Sequence, residues 1–135
     1  MARQHNPASI APPFSRYSQG FEVPAGARWL HVSGQVGVRP DGSLAGSAEA
    51  QMEAAWSNVL AVLEAAGMRA HDLVKVTAFL TRPEDTPLYR EVRDRMLGGA
   101  QPASTLLIVQ ALASPDWLVE IEAVAAATPC RPDPP

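Results

Sequence analysis

The stretch QMEAAWSNVLAVLEAAGMRAHDLVKVTAFLT, residues 51–81, decides the fold because its apolar periodicity changes from that of a helix to that of a strand. Its first part places apolar residues three and four positions apart, which predicts an amphipathic helix against a core. Ser47 and Glu49 suit the first turn of that helix, and Gly67 ends the pattern. Over residues 73–80 the apolar side chains alternate instead, which predicts a strand with one buried face.

The segments on either side add one more helix and four more strands. Thr86 as N-cap, followed by Pro87, begins a second predicted helix, which the Gly98-Gly99 pair ends. The short apolar or alternating runs predict strands at 21–23, 29–38, 105–110 and 118–126. Because a turn joins the first two strands, we expect them to form a hairpin. The order is ββαβαββ, an α+β domain with a mixed sheet and both helices on one face.

The composition indicates one ordinary soluble domain. The chain has 135 residues, is 47% hydrophobic and 19% charged, and carries a formal net charge of −3, which gives no bulk attraction for nucleic acid. We expect one domain over residues 14–127, between loose proline-rich termini at 1–13 and 128–135. Cys130 is the lone cysteine, and no segment has the pattern of a secretion signal or a membrane span. We therefore expect a cytoplasmic protein with no membrane partner.

The face of the sheet that the helices leave uncovered predicts self-association. The side chains that alternate away from the helix-backed core are Lys75, Thr77, Phe79, Glu120 and Glu122. A broad sheet face in so small a domain would otherwise expose apolar side chains to water. We therefore expect a homo-oligomer that buries this face.

Several stretches together resemble the RidA family, also called the YjgF family. They are RYSQGFEVPAG (16–26), HVSGQVGVRPDGSL (31–44), residues 51–81, QPAST (101–105) and LVEIEAVA (118–125). The resemblance covers nearly the whole predicted domain. It implies a chorismate-mutase-like fold and a homotrimer with a small-molecule pocket at each subunit interface. It further implies hydrolysis of reactive imines or enamines to a keto acid and ammonia, without a cofactor.

The resemblance assigns a role to individual residues of this chain. Glu120 matches the family glutamate proposed to handle the attacking water, Tyr17 matches an aromatic residue near the pocket mouth, and Ser33-Gly34 matches a strand segment that lines the pocket. Ser104 stands where the family has an arginine that binds the substrate carboxylate through two parallel hydrogen bonds. Arg90 stands where the family has a pocket asparagine. Two expected contacts are therefore replaced.

Each of these residues also has an ordinary structural explanation. Arg90 could carry a guanidinium into the pocket, or it could pair on the surface with Glu91 or Asp94, and we favour the surface role because such pairs are common. Glu120 and Glu122 share a strand face, which suits paired carboxylates or two solvated ones; the resemblance favours a pocket role for Glu120 and an interface or structural role for Glu122. Tyr17 could equally be a packed aromatic residue.

Other chemistries lack support in the sequence. The three histidines have no cysteine or carboxylate at ligand spacing, so we expect no metal and no other cofactor. The basic segment of Arg82, Arg90, Arg93 and Arg95 is interleaved with acidic residues, and the three tryptophans suit core or turn positions, so we expect no nucleic-acid partner. Two functions stay open: a cofactor-free deaminase or related hydrolase, with Glu120 orienting water, and a non-catalytic metabolite-binding or regulatory trimer that has lost the arginine.

Overall fold

A four-stranded mixed sheet with two α-helices on one face forms the body of the computed structural model, which describes residues 2–129. The strands are β1 (Arg3–His5), β2 (Gly20–Glu22), β3 (Arg28–Val36), β4 (Leu73–Leu80), β5 (Ala103–Ile108) and β6 (Val119–Ala127). The helices are α1 (Ala48–Ala65) and α2 (Thr86–Leu97). Short 3-10 turns at Ala70–Asp72 and Pro83–Asp85 precede β4 and α2.

The strand order in the sheet is β3-β6-β4-β5. The β4–β5 pair is parallel, whereas β6 runs antiparallel to both β3 and β4. The last strand of the chain therefore lies in the middle of the sheet, and β5 forms one edge. The predicted α+β class, the mixed sheet and the placement of both helices on one face are confirmed.

The predicted hairpin between the first two strands is wrong. β2 pairs with β1, in a separate two-stranded antiparallel sheet, while β3 pairs with β6. The turn between β2 and β3 contains Gly26 at a φ of 83°. It leads the chain from the small sheet into the large one and does not pair the two strands. Residues 3–5, expected to be loose, thus form a strand. The tail from Cys130 onward lies outside the described residues.

Both helices begin and end with local signals. The Ser47 hydroxyl accepts a hydrogen bond from the Ala50 N–H at 3.1 Å and caps α1, and Gly67 follows with a φ of 69°. In α2 the residue before the helix is Asp85, and Thr86, predicted as the N-cap, is already helical, because the 3-10 turn before it has already begun to coil the chain. Gly98 ends α2 at a left-handed φ of 58°.

The core lies between the helices and one face of the sheet. Its largest fully buried side chains are Trp56, Tyr89, Met52, Leu63, Leu73, Leu80 and Ile121. The opposite face, which we call the open face, carries the alternate residues of β4 and β6, as predicted. Trp29 is 55% exposed, so the expectation that it is a core or turn residue is wrong: it occupies β3. No helix in the described part of the chain is long and apolar enough to cross a membrane.

Candidate functional site

A small cavity between α2 and β5 gathers three of the residues singled out from the sequence. It has a volume of about 170 Å³, which suits a molecule of a few heavy atoms. We call it the arginine cavity; its lining residues are Phe14, Ser15, Tyr17, Arg90, Arg93, Ser104 and Leu106. Tyr17, Arg90 and Ser104 come from three separate segments of the chain, so their meeting is a property of the fold and not of sequence proximity.

The segment before β2 reaches this cavity because Ser18 fastens it to the start of β5. The buried Ser18 hydroxyl donates a hydrogen bond to the Gln101 carbonyl at 2.5 Å, and its N–H donates to the Pro102 carbonyl at 3.1 Å. Ser18 also forms an isolated parallel bridge with Ala103. These contacts place the neighbouring residues Tyr17 and Ser104 on the wall of the same cavity.

Helix α2 contributes the positive charges of the arginine cavity. Arg90 and Arg93 are three positions apart, so they lie on the same face of the helix. Within residues 2–129 Arg90 forms no ion pair, and the pairing with Glu91 or Asp94 that we favoured from the sequence does not occur. Asp94 pairs instead with Arg93, and more distantly with Arg16.

The sequence interpretation missed Arg93. This residue is only 4% exposed. Arginine is seldom buried in proteins unless it has a partner, and here the partner is Asp94. Its Nε and Nη2 both donate to Asp94 Oδ1, at 3.0 and 2.9 Å. The three-residue spacing between Arg90 and Arg93 could have indicated that both lie on one face of the helix. The acidic residues between and after them made both look like surface residues instead.

Glu120 lies outside the arginine cavity, on the open face of the sheet. It lines a different cavity of about 300 Å³ with Phe79 and residues of the loop after β5. Its carboxylate lies directly against Gly34, since a Cβ added there would come within 2.8 Å of Glu120 Cδ. Ser33 and Gly34 occupy a bulge in β3, where the register with β6 shifts between Val32 and Gln35. Glu120, Ser33 and Gly34 therefore form a second cluster, which we call the glutamate cluster.

Within one chain the two groups of residues lie on opposite faces of the sheet. Ser104 is in register with the buried Val76 on the helix-covered face, whereas Glu120 is in register with Phe79 on the open face. Because residues in register share a face, no side-chain rotation brings Glu120 to Ser104. A site that used both would need residues from two subunits.

The electrostatics around α2 concentrate uncompensated charge at the arginine cavity. Arg82 pairs with Asp85 at 2.8 Å, which raises the pKa of Arg82, and Arg95 pairs with Glu53 at 2.6 Å. The charges of Arg82 and Arg95 are thus balanced by neighbouring carboxylates, whereas Arg90 has no such partner among residues 2–129. Residues 2–129 contain no group of three or more histidine, cysteine, aspartate or glutamate side chains placed to hold a metal ion.

Comparison with known proteins gives consistent results. A family model described as Endoribonuclease L-PSP matches residues 8–127. A 2-iminobutanoate/2-iminopropanoate deaminase of Mus musculus is 33% identical over 125 residues, which cover 91% of this chain and 87% of that protein. The protein DfrA of Myxococcus xanthus is 36% identical over 121 residues, 88% of each chain. The crystal structure of a Rid family protein, YyfB, from Yersinia pestis superposes with a TM-score of 0.84 at 32% identity, over 93% of this chain and 98% of that one.

Proposed function

This chain belongs to the endoribonuclease L-PSP family, also called the RidA or YjgF family, and on that premise we propose that it hydrolyses small imines or enamines without a cofactor. Two relatives that carry the name 2-iminobutanoate/2-iminopropanoate deaminase, from Mus musculus and from Salmonella typhimurium, are 33% and 31% identical. The observation that carries the proposal is the convergence of Tyr17, Arg90 and Ser104 on one cavity.

We infer further that the working unit is a homotrimer. The arginine cavity and the glutamate cluster lie on opposite faces of one chain, so a complete site requires the open face of one subunit to meet the α2–β5 edge of the next. The open face and the adjoining edge carry large exposed apolar side chains, Trp29 at 55% and Leu107 and Ile108 at 44% each. Burying them between copies would remove an unfavourable surface from water.

The proposed reaction needs a bound substrate, an oriented water and a route for protons. Water adds to the carbon of the C=N bond, Glu120 accepts a proton from that water, and the proton passes to the nitrogen. A second proton then moves from the hydroxyl group of the resulting carbinolamine to its nitrogen, and the C–N bond breaks, so that ammonia leaves and a carbonyl remains. An enamine enters the same route after protonation at carbon converts it to the imine. The imine carbon is already electrophilic, so positioning and proton transfer suffice for catalysis.

The first experiment measures ammonia release from 2-aminoacrylate, generated in a coupled assay by a separate enzyme. We expect the wild-type chain to accelerate the release and Glu120→Gln to reduce it by about 100-fold or more, because a positioned base is worth that much. Glu122→Gln is the matched control: it is also on the open face of β6, two residues away, and it should retain activity.

Two results would contradict the proposal. A light-scattering mass equal to one subunit would leave the arginine cavity and the glutamate cluster apart. A wild-type trimer that binds small acids yet releases no ammonia would favour the non-catalytic, metabolite-binding alternative.

A further inference from the structure

The buried Arg93 and Ser104 line the same cavity. We propose that Arg93, on α2, binds the carboxylate of the substrate in this chain, a task that the family gives to an arginine at position 104. The inference rests on the proposed function, because that function supplies a substrate with a carboxylate. It adds to that function the residue that binds the carboxylate.

The guanidinium of Arg93 is held in place with part of its donor capacity unused. Its side chain is 5% exposed, and both of its hydrogen bonds end on one oxygen, Asp94 Oδ1. Its Nη1 donates no hydrogen bond to any residue in the range 2–129. Nη1 is not one of the fully buried polar atoms that lack a partner in the described part of the chain, so it keeps some contact with solvent. Because Arg93 lines the cavity, a ligand carboxylate there is placed to accept a hydrogen bond from Nη1 in place of water.

The charges around the cavity favour an anion. Asp94 is shared, since Arg16 Nε lies 4.0 Å from its Oδ2, and Arg90 lines the cavity without any carboxylate partner among residues 2–129. Two guanidinium groups thus line the cavity, and the one carboxylate that pairs with either of them, Asp94, is shared with Arg16, which leaves an excess of positive charge. A small monoanion in the cavity would reduce that excess at short range.

Arg93 suits this role better than Arg90 because it is already fixed. Asp94 fixes the orientation of the Arg93 fork, so little side-chain entropy is lost when a ligand binds. Arg90 is only half-buried and has no such partner. Ser104 and Leu106 are the lining residues that β5 contributes, so the cations that line the cavity come from α2.

The test compares the binding of two probes, pyruvate and its neutral amide pyruvamide, by isothermal titration calorimetry on the full chain. We expect Arg93→Gln to weaken pyruvate binding by about 10- to 100-fold, the value of a charge-assisted hydrogen bond, and to leave pyruvamide binding unchanged. Arg95→Gln is the matched control on the same helix, because Arg95 pairs with Glu49 and Glu53 on the surface; it should bind both probes as the wild type does.

A compensating variant makes the test specific for position. Adding Ser104→Arg to Arg93→Gln should restore pyruvate binding, since it returns a guanidinium to the same cavity from β5. Pyruvate affinity that is unchanged by Arg93→Gln would overturn the inference. So would an equal loss of pyruvate and pyruvamide, because that pattern indicates a structural role.

A second measurement covers the case in which Arg93→Gln fails to fold. In the wild-type protein, the NMR chemical shift of the Arg93 ¹⁵Nε–H group should change on addition of pyruvate and not of pyruvamide. A chemical shift that changes with neither probe would overturn the inference. The outcomes also separate the two proposals. Pyruvate binding through Arg93 without ammonia release would refute only the proposed function, whereas ammonia release that survives Arg93→Gln at wild-type KM would refute only this inference.

Discussion

Replacing Gly34 with alanine tests whether the position of the Glu120 carboxylate, and not merely its presence, supports activity. A Cβ at position 34 would come within 2.8 Å of Glu120 Cδ and 3.1 Å of its Cγ, and closer still to Oε2. Gly34 has no positive φ, so alanine fits the backbone there. The substitution therefore acts on one target, the flexible end of the Glu120 side chain.

The size of the effect follows from these contacts. To reach an ordinary van der Waals distance, the carboxyl carbon must move by about 0.6 Å and Oε2 by more than about 1 Å. A displacement of that size at a reacting group costs about 100-fold in rate. The cost in stability is small: a Glu120 side chain turned away from its preferred rotamer loses about 1 kcal/mol, and the loss of a glycine from the unfolded chain offsets about half of that or more.

The assay pairs ammonia release with urea unfolding for three glycine variants. Gly34→Ala should lose about 100-fold in kcat while its free energy of unfolding changes by less than about 1 kcal/mol. Gly46→Ala, where the added Cβ meets no atom within 4 Å, should be neutral in both. Gly37→Ala should instead destabilise the fold by about 1 to 3 kcal/mol, because its Cβ would lie 2.6 Å from the backbone Cα of Gln51 in α1.

Full activity in a stable Gly34→Ala protein would refute the reasoning, because it would mean that the carboxylate of Glu120 acts from some other position or does not act. Equal activity of Glu120→Gln and the wild type would also refute the reasoning, because it would show that the carboxylate of Glu120 is not needed. A large loss of stability in Gly34→Ala would show that the Glu120 side chain cannot rotate away from Gly34.

Two further predictions concern groups that hold the fold together. Gln51→Ala should lower the free energy of unfolding in urea by about 1 to 3 kcal/mol, because the buried Gln51 amide donates to the Asp116 carbonyl at 3.2 Å and accepts from the Leu118 N–H at 2.9 Å. Gln51→Glu keeps the acceptor but buries a carboxylate against the Asp116 carbonyl oxygen, so at neutral pH it should cost at least as much; an unchanged free energy in either variant would contradict the assignment. Burial raises the pKa of Tyr89 above its usual 10.0, so the folded protein keeps the phenolic proton at a pH at which the unfolded chain loses it. The free energy of unfolding therefore has its full value below about pH 10 and falls as the pH rises above it. Between about pH 9 and about pH 11 the free energy of unfolding should therefore fall less in Tyr89→Phe than in the wild type, and identical slopes would show that Tyr89 does not titrate on unfolding.

The elements that the sequence predicts well are those whose apolar pattern is long. β4 covers residues 73–80, as its alternation indicated, and α1 begins after Ser47 and ends before Gly67. The local signals there agree with the packing, since the same residues that favour a helix or a strand also face the core. Short strands are different. β1 is a run of three polar residues, so it has no apolar periodicity from which a strand could be predicted. Its pairing with β2 could therefore not be predicted either.

Strand partners were harder to predict than the strands themselves. A turn after residues 21–23 made a hairpin the simplest expectation, yet β6 pairs with β3 and lies at the centre of the sheet. Alternating small and branched side chains make β6 suitable for a position covered on one face by helices, and its burial alternates along most of its length. Such long-range pairing depends on the packing of the whole core, which a local pattern does not encode.

The candidate residues could be named from the sequence, but their arrangement in space could not. The resemblance pointed to Tyr17, Arg90 and Ser104, which line one cavity, but burial decides between a surface arginine and a ligand-binding one. From the sequence, the acidic neighbours of Arg90 argued for surface ion pairs. In the structure Asp94 pairs with Arg93 and Arg16 instead, and Glu91 is in no ion pair among residues 2–129. Arg93 is buried, although its neighbours in sequence look equally solvated. The direction of each side chain around the helix axis made the difference.

In our proposal, Arg93 supplies the positive charge that the resemblance assigns to an arginine at position 104. A carboxylate is recognised by a guanidinium at a point in space, and the side chain of an arginine is long enough to reach one point from either of two adjacent elements. β5 and α2 both border the arginine cavity, so a cation lost from the strand and a cation held by the helix are interchangeable in electrostatic terms. If Arg93 binds the carboxylate as we propose, carboxylate binding does not require an arginine at position 104, and the serine there does not argue against activity.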